Sequence, residues 1–434
     1  MFKNIKQISL ISFLIFVFLL PFNITESNIF WFLSVAFTLI DKEMYKNFSF
    51  KKLGKGEKFY IFAANVYLFW CIVSLLWSDE IGRGLQLIGR YFLIVAFSWH
   101  ILFFKAAGIL RNYKQPFAAF VAGVLVSSIV CLVLSYKNCW QETANGIVFS
   151  STILNIDWSY SNAYDSITAG YNHFSYNYLS HFFHPSYFAL YILFALIIML
   201  SELHTIKNNI YKIGICFFSL YLLGFIFLLQ SRANLVAVVI VAVIFVIFYS
   251  IIEKKFFVLI VGMVVISLMS VKLVQSSRLS WIFTNLVEAF NGNSEQRKEK
   301  IEKDNDRIII WENAIQVIKQ HPILGVGIGD TDTELENQYK KNGVDFRFGT
   351  HNQYIYAQLS MGVIGLLLLL AMFFPAFYYG IKNRYFPLIG FAVAVMVNLL
   401  FENMLTRNAG LMFIPWAMML LLMMSEEKKT ELAK

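Results

Sequence analysis

Residues 349–370 read GTHNQYIYAQLSMGVIGLLLLL, and the apolar run that begins there continues to about residue 379. A helix of that length crosses the roughly 30 Å hydrocarbon core of a bilayer, so this stretch reads as a membrane span. His351 stands at its threshold. Tyr354 and Gln358 follow at offsets of three and seven, which predicts a polar stripe running from His351 into the span. A helix that only anchors the chain has no use for such a stripe.

The rest of the chain is of the same kind. Its 434 residues are 58% hydrophobic and 15% charged, with a mean hydropathy of +0.61. That composition places it among polytopic membrane proteins. Apolar runs fall at 8–22, 28–40, 59–77, 84–104, 117–135, 185–201, 211–229, 233–251, 256–275, 353–379, 386–401 and 409–424, giving an all-α protein of about twelve spanning helices. The opening MFKNIKQISLISFLIFVFLLPF has a basic lead and an apolar core but no small-residue cleavage site, so it is expected to be a retained first helix. Of the cysteines, Cys71, Cys131 and Cys216 lie in apolar runs, and Cys139 is expected to be the exposed one. No metal-ligand spacing and no disulfide framework follow from them.

The formal charge of +9 raises the possibility of nucleic acid, and its distribution removes it. With the N-terminus inside, the cytoplasmic segments contain KNFSFKKLGKGEK, KAAGILRNYK, EKK, KNR and EEKKTELAK, whereas short outward turns such as NITESN and SDEIGRG carry almost no Lys or Arg. The basic charge is a topological signal, and both termini are expected on the cytoplasmic side.

Two outward segments, 136–183 and 276–352, are too long to be turns. The expected organisation is therefore spanning helices one to nine over 1–275, including the outer Tyr-rich loop 136–183. A large outer loop with amphipathic helices follows over 276–352, ahead of the third-last helix. The last three helices and a cytoplasmic tail occupy 353–434.

In the large loop, Ile308, Trp311, Ile315 and Ile318 recur at helical spacing, predicting an amphipathic helix that ends before Pro322. Arg307 sits in its first turn, the end where the helix dipole disfavours a cation. Either Asp304 and Asp306 offset that cost or Arg307 is held there for an anion. GVGIGD (325–330) reads as a close-packed loop, since no strand–turn–helix unit surrounds it. Asp330-Thr331-Asp332 is a D-x-D triplet, and Thr331 with Glu334 is expected to form a capping box in preference to a metal site.

At the outer boundary, Arg232 lies in the minimal turn of LLQSRANLVAVV, and Arg90 lies about two helical turns below the edge, where an arginine needs protein or a wet cavity and a partner. Glu402 and Arg407 occupy the last outer turn and are expected to pair with one another or with these arginines. His184 stands just before a helix that opens with Pro185. Several guanidinium groups at a lipid boundary suit a diphosphate, which each binds through a two-pronged fork while staying charged. A neutral histidine beside them accepts a hydroxyl proton near neutral pH. The chemistry these residues fit is transfer from a lipid diphosphate to a hydroxyl acceptor, with arginines neutralising the leaving group and no metal or cofactor required.

R-x-x-x-W-x-x-A-x-x-x-I-x-x-x-P-x-x-G-x-G from Arg307 to Gly327, followed by H-N-x-Y and G-x-x-G-L between His351 and Leu366, resembles the O-antigen ligase superfamily. The turn Ser231-Arg232-Ala233 and E-N-M-L-x-R-x-A-G from Glu402 to Gly410 add to the likeness. The resemblance implies a GT-C-like glycosyltransferase of the bacterial inner membrane with a periplasmic active site. It implies an undecaprenyl-diphosphate-linked glycan as donor and lipid A-core as acceptor. A growing glycan or a protein is the acceptor in related branches. Carried over by motif, His351 is the expected base, and Arg232 and Arg307 the expected diphosphate-binding residues. Arg90 joins the donor site, and His184, Glu402 and Arg407 support it, on the physical argument alone. Direct displacement would invert the anomeric centre. From another class, a transporter shares the helix count, but transporters place ionisable groups near the midplane, whereas here they gather at the outer edge.

Overall fold

The computed structural model describes residues 2–110, 112–143, 146–154, 172–203, 205–254, 306–344 and 348–432. The run expected to cross at 256–275, the charged stretch up to residue 305 and the Tyr-rich stretch 155–171 lie outside the described residues.

In chain order the helices are α1 (Phe2–Leu19), α2 (Ile24–Ile40), α3 (Lys42–Asn47), α4 (Lys55–Val73), α5 (Ile81–Ala106) and α6 (Lys114–Asn138). A hairpin of β1 (Trp140–Thr143) and β2 (Gly146–Phe149) follows. Then come α7 (Tyr176–Leu179), α8 (Pro185–Glu202), α9 (Asn209–Leu229) and α10 (Arg232–Glu253). The second half adds α11 (Asp306–Gln320), α12 (Thr331–Lys341), α13 (Gln353–Ala371), α14 (Phe374–Lys382), α15 (Phe386–Leu399), α16 (Asn408–Leu411) and α17 (Ile414–Leu432).

Among the described residues, eight helices are long and apolar enough to cross a membrane, and three shorter apolar ones stand at Ile5–Leu19, Ile24–Ile40 and Phe386–Leu399. Each described apolar run of the sequence is a helix, as expected of backbone that must satisfy its own hydrogen bonds in lipid. The chain is an all-α polytopic membrane protein, with one small hairpin among the described residues.

It divides into two compact units. The first holds residues 1–42 and 109–242. Its α1–α2 hairpin is closed by small polar side chains: Ser9 Oγ lies 2.9 Å from the Ser34 carbonyl and 2.7 Å from Thr38 Oγ1, and Ser34 Oγ donates to the Ser9 carbonyl at 2.9 Å. Such bonds each contribute about 0.6 kcal/mol on average, and the small side chains let the helices approach closely. α8 is buried from Pro185 to Met199 on every side, as its uniformly apolar surface requires. Cys139 is buried, not exposed, because its thiol turns back to donate to the Ser135 carbonyl. The exposed cysteine is Cys216, on an outward face of α9 beside Ile213 and Phe217.

The second unit holds residues 43–108 and 243–434. Here α13 is interrupted. Gly362 adopts φ +67° and ψ −170° inside the apolar span, so the helix stops and restarts. The loop 322–327 fills the break: Val326 and Gly327 donate to the carbonyls of Leu359 (2.9 Å) and Ser360 (3.0 Å), and Val363 donates to that of Pro322 (3.0 Å). From α4, Trp70 Nε1 donates to the Met361 carbonyl at 3.1 Å. These bonds satisfy backbone groups that would otherwise cost several kcal/mol each in an apolar setting. The glycine run 325–329 is thus a close-packed segment seated in a broken helix.

Above the break, α11 packs Ile310, Ala314 and Val317 into a small core with Leu335, Tyr339 and Leu359. The buried stripe is rotated from the expected one: Trp311 and Ile318 sit at its margin, and Ile315 is 43% exposed. The rotation follows from Asn313, which is buried on this face and hydrogen-bonds the Ile309 carbonyl and Asn342.

Candidate functional site

The second unit gathers most of the predicted boundary residues around one segment, 402–407. His351 is not in the helix that follows it. Asn352 caps α13, its side-chain oxygen accepting from the amides of Tyr354 (3.0 Å) and Ile355 (3.2 Å). His351 precedes this cap with φ +45°, a conformation uncommon outside glycine. The expected stripe from His351 through Tyr354 is therefore absent. The left-handed residue turns the imidazole out of helical register, and Tyr354 instead donates to the Met396 carbonyl at 2.9 Å.

The turn is fixed from both sides. Trp311 Nε1 donates to the Thr350 carbonyl at 2.9 Å. The buried Thr350 hydroxyl lies 3.1 Å from Asn403 Oδ1, and Gln353 Oε1 accepts from the Leu405 amide at 2.9 Å. Residues 350–353 are thus fastened to 403–405.

Glu402, the acid beside this seam, faces two donors. His351 Nδ1 is 3.4 Å from Oε2, and Arg307 Nη2 is 3.7 Å from Oε1. The Arg307 guanidinium also lies over the Phe401 ring, 5.9 Å from its centre. The Glu402 side chain is 16% exposed, against 41% for His351 and 36% for Arg307, so the acid lies inside and the two donors at the rim. Asp304 lies outside the described residues, and Glu402 is the partner that Arg307 reaches. Arg90, from α5, donates through Nη1 to the Thr406 carbonyl at 3.1 Å, the partner its depth demanded. Arg407 is exposed, and its charge bears on Asp332.

The D-x-D segment does other work. Thr331 begins α12, and its hydroxyl bonds the Gly327 carbonyl at 3.1 Å, so the expected Thr331–Glu334 capping box does not form. The Asp330 carboxylate accepts from the amides of Asp79 (2.8 Å) and Glu80 (2.7 Å), at the start of α5. Arg83 pairs with Asp332 at 2.8 Å. Burial pushes the Asp332 carboxyl above its ordinary range, against the opposing pull of Arg83 and Arg407. Among the described residues, no group of three His, Cys, Asp or Glu side chains is placed to hold a metal ion.

Two predicted residues belong to the first unit. His184 is the N-cap of α8, its Nδ1 accepting from the Ser186 amide at 3.4 Å, and Arg232 is the first residue of α10. Fully buried Asn234 joins their surroundings by donating to the Ser186 carbonyl (2.8 Å) and Ser231 Oγ (2.9 Å). Sequence reasoning passed over Asn234 because it sits in an apolar run. It also passed over Asn352, although an Asn just ahead of a long apolar helix is a capping signal.

Known proteins match part of the chain. The model of the O-antigen ligase family matches residues 217–370, which contain Arg232, Arg307 and His351 but not Arg90, His184, Glu402 or Arg407. An uncharacterised protein of Haemophilus influenzae is 26% identical over 155 residues, 33% of this chain and 37% of that protein. The similarity thus spans little more than a third of that relative's length. Over residues 217–370, about a third of the chain, the protein is similar to the O-antigen ligase family.

Proposed function

We propose that the protein is an O-antigen ligase-type glycosyltransferase of the bacterial inner membrane, with about twelve spanning helices in a GT-C-like arrangement. It would move a glycan from undecaprenyl diphosphate to a hydroxyl of lipid A-core on the periplasmic side. The observation that carries this reading is the meeting of His351, Arg307 and Arg90 at the 402–407 segment, the first two of them within the family match.

The acceptor oxygen attacks the anomeric carbon of the donor sugar as the bond from that carbon to the diphosphate oxygen breaks. The bonding electrons leave with the diphosphate, and the acceptor proton passes to Nε2 of His351. Glu402 supports this assignment: a carboxylate at Nδ1 favours the tautomer with its proton there, leaving Nε2 able to accept. Arg307 and Arg90 neutralise the leaving diphosphate by charge-assisted hydrogen bonds, a role that uses no metal ion, and Arg232 is assigned to donor binding by its motif alone. One displacement inverts the anomeric configuration, and a retained product would sink this mechanism.

The test is a lipopolysaccharide gel from the native host. A deletion strain is compared with strains restored by wild type or His351→Ala. Bare lipid A-core with polymer still on its carrier means ligase, and failure of His351→Ala to restore transfer supports the base. Core bearing a single repeat means a polymerase of the same superfamily. An unchanged ladder removes both and points to a protein acceptor or to transport.

A further inference from the structure

One carboxylate serves two donors in this site. Glu402 stands 3.7 Å from Arg307 and 3.4 Å from His351, whereas a committed charge-assisted hydrogen bond closes to about 2.7–2.9 Å. The acid is shared, and neither contact is at its strongest. Glu402 is largely enclosed, so it gains little help from water. Arg307 is more open to solvent, and its guanidinium carries five N–H donors, more than one distant carboxylate oxygen can use. An incoming anion with several oxygens can therefore outbid Oε1 for Arg307 without displacing Arg307 from the Phe401 ring.

On the donor-and-base reading given above, we propose that Glu402 is a positioning residue that couples anion binding at Arg307 to proton placement on His351. A diphosphate that engages Arg307 draws the guanidinium from Oε1. The carboxylate, released from that cation, closes on the Nδ1–H of His351 and leaves Nε2 free to accept. The donor thus arms the base, and an acceptor that arrives alone meets an imidazole whose proton is held less firmly at Nδ1. The charged groups around the ring fit this sequence. Glu402 from the 402–407 segment is in contact, Arg307 from α11 is one contact beyond, and Arg90 from α5 is held at the Thr406 carbonyl. Phe348, 6.4 Å from His351 between ring centres, adds no charge.

The test follows the tautomer directly. Full-length protein labelled with 15N-histidine is held in lipid nanodiscs at a pH where its imidazoles are neutral. The His351 signals are assigned by their loss in His351→Gln, and farnesyl diphosphate serves as probe, its binding measured separately by calorimetry. The expected result is a rise of about tenfold or more in the ratio of Nδ1–H to Nε2–H tautomer on binding, the effect of about 1.4 kcal/mol. Glu402→Gln should bind the probe with less than about a twofold change in that ratio. Arg307→Gln should show the raised ratio with no probe added, which keeps the test decisive if Glu402→Gln does not fold. Binding without a change in tautomer, or an equal change in Glu402→Gln, overturns the coupling and leaves the donor reading standing. If wild type does not bind farnesyl diphosphate, the donor reading itself fails, and the coupling with it.

Discussion

Arg307 holds its guanidinium 5.9 Å above the ring of Phe401 while Nη2 points to Glu402. The planar group uses its face for the ring and its edge for anions, a combination a lysine ammonium cannot reproduce. Arg307→Lys keeps the charge and should still lose about tenfold or more in apparent donor affinity, with folding intact by size-exclusion profile. An unchanged KM for donor in a reconstituted transfer assay would show that charge alone suffices.

Gly325 and Gly362 meet backbone to backbone, both with positive φ, at +72° and +67°. A Cβ on Gly325 would stand 2.6 Å from the Gly362 amide nitrogen, and one on Gly362 would overlap the Ile323 carbonyl. Backbone strain from left-handed alanine costs about 1–3 kcal/mol, and the overlap adds to it. Gly362→Ala should therefore lower the thermal midpoint in detergent by many degrees or abolish expression. Gly108→Ala is the control, since it too has positive φ but nothing within 4 Å of its Cβ. Equal loss in both would assign the effect to φ alone.

Asn234 spends both donors of its amide on Ser186 and Ser231, joining the start of α8 to the turn before Arg232. Asn234→Leu retains bulk and leaves the Ser186 carbonyl without this donor, at a cost of about 1–3 kcal/mol. Transfer should fall along with stability, because Arg232 stands two residues away. Full activity with lowered stability would separate Asn234 from the placement of Arg232.

His173 and His181 give the first unit a pH dependence of known sign. Burial pushes both imidazoles below their ordinary value of 6.5, and the charge of His173 adds to the effect on His181. The unfolded segment then binds more protons than the folded one in mild acid. Stability is present above about 6.5, falls as pH drops through that value, and levels off below the folded values. Hydrogen exchange over residues 172–183 should quicken, relative to its intrinsic rate, on moving from pH 7.5 to 5.5. His181→Gln should flatten that response, and a response of equal size in the variant would assign it elsewhere.

The spans were legible because bilayer thickness sets a length that sequence must meet, and a run such as 185–201 satisfies it plainly. The boundary residues were legible for related reasons: His351 and Glu402 stand at the ends of apolar runs where polar groups are expensive, and Arg307 stands at the helix end that disfavours a cation. The break in α13 was hidden, since GVIGLLLLL has the same hydropathy whether continuous or interrupted. Only the partner segment 322–327, far off in sequence, completes it. The rotation of α11 was hidden likewise, because Asn313 becomes a core residue only through Asn342. The 140–149 hairpin lay in a loop whose short strands carry no long alternation.

The interrupted helix also bears on how the protein is made. Ribosomes deliver Pro322–Gly327 before Gln353–Lys382, and the latter enters a bilayer most readily as one unbroken apolar segment. Entry as one segment would make the seating of 322–327 in the break a later and separate event from insertion. A chain that inserts correctly but never receives the returning loop would have its full complement of spans and no fixed seat for His351. Quality control that counts only membrane crossings would pass it.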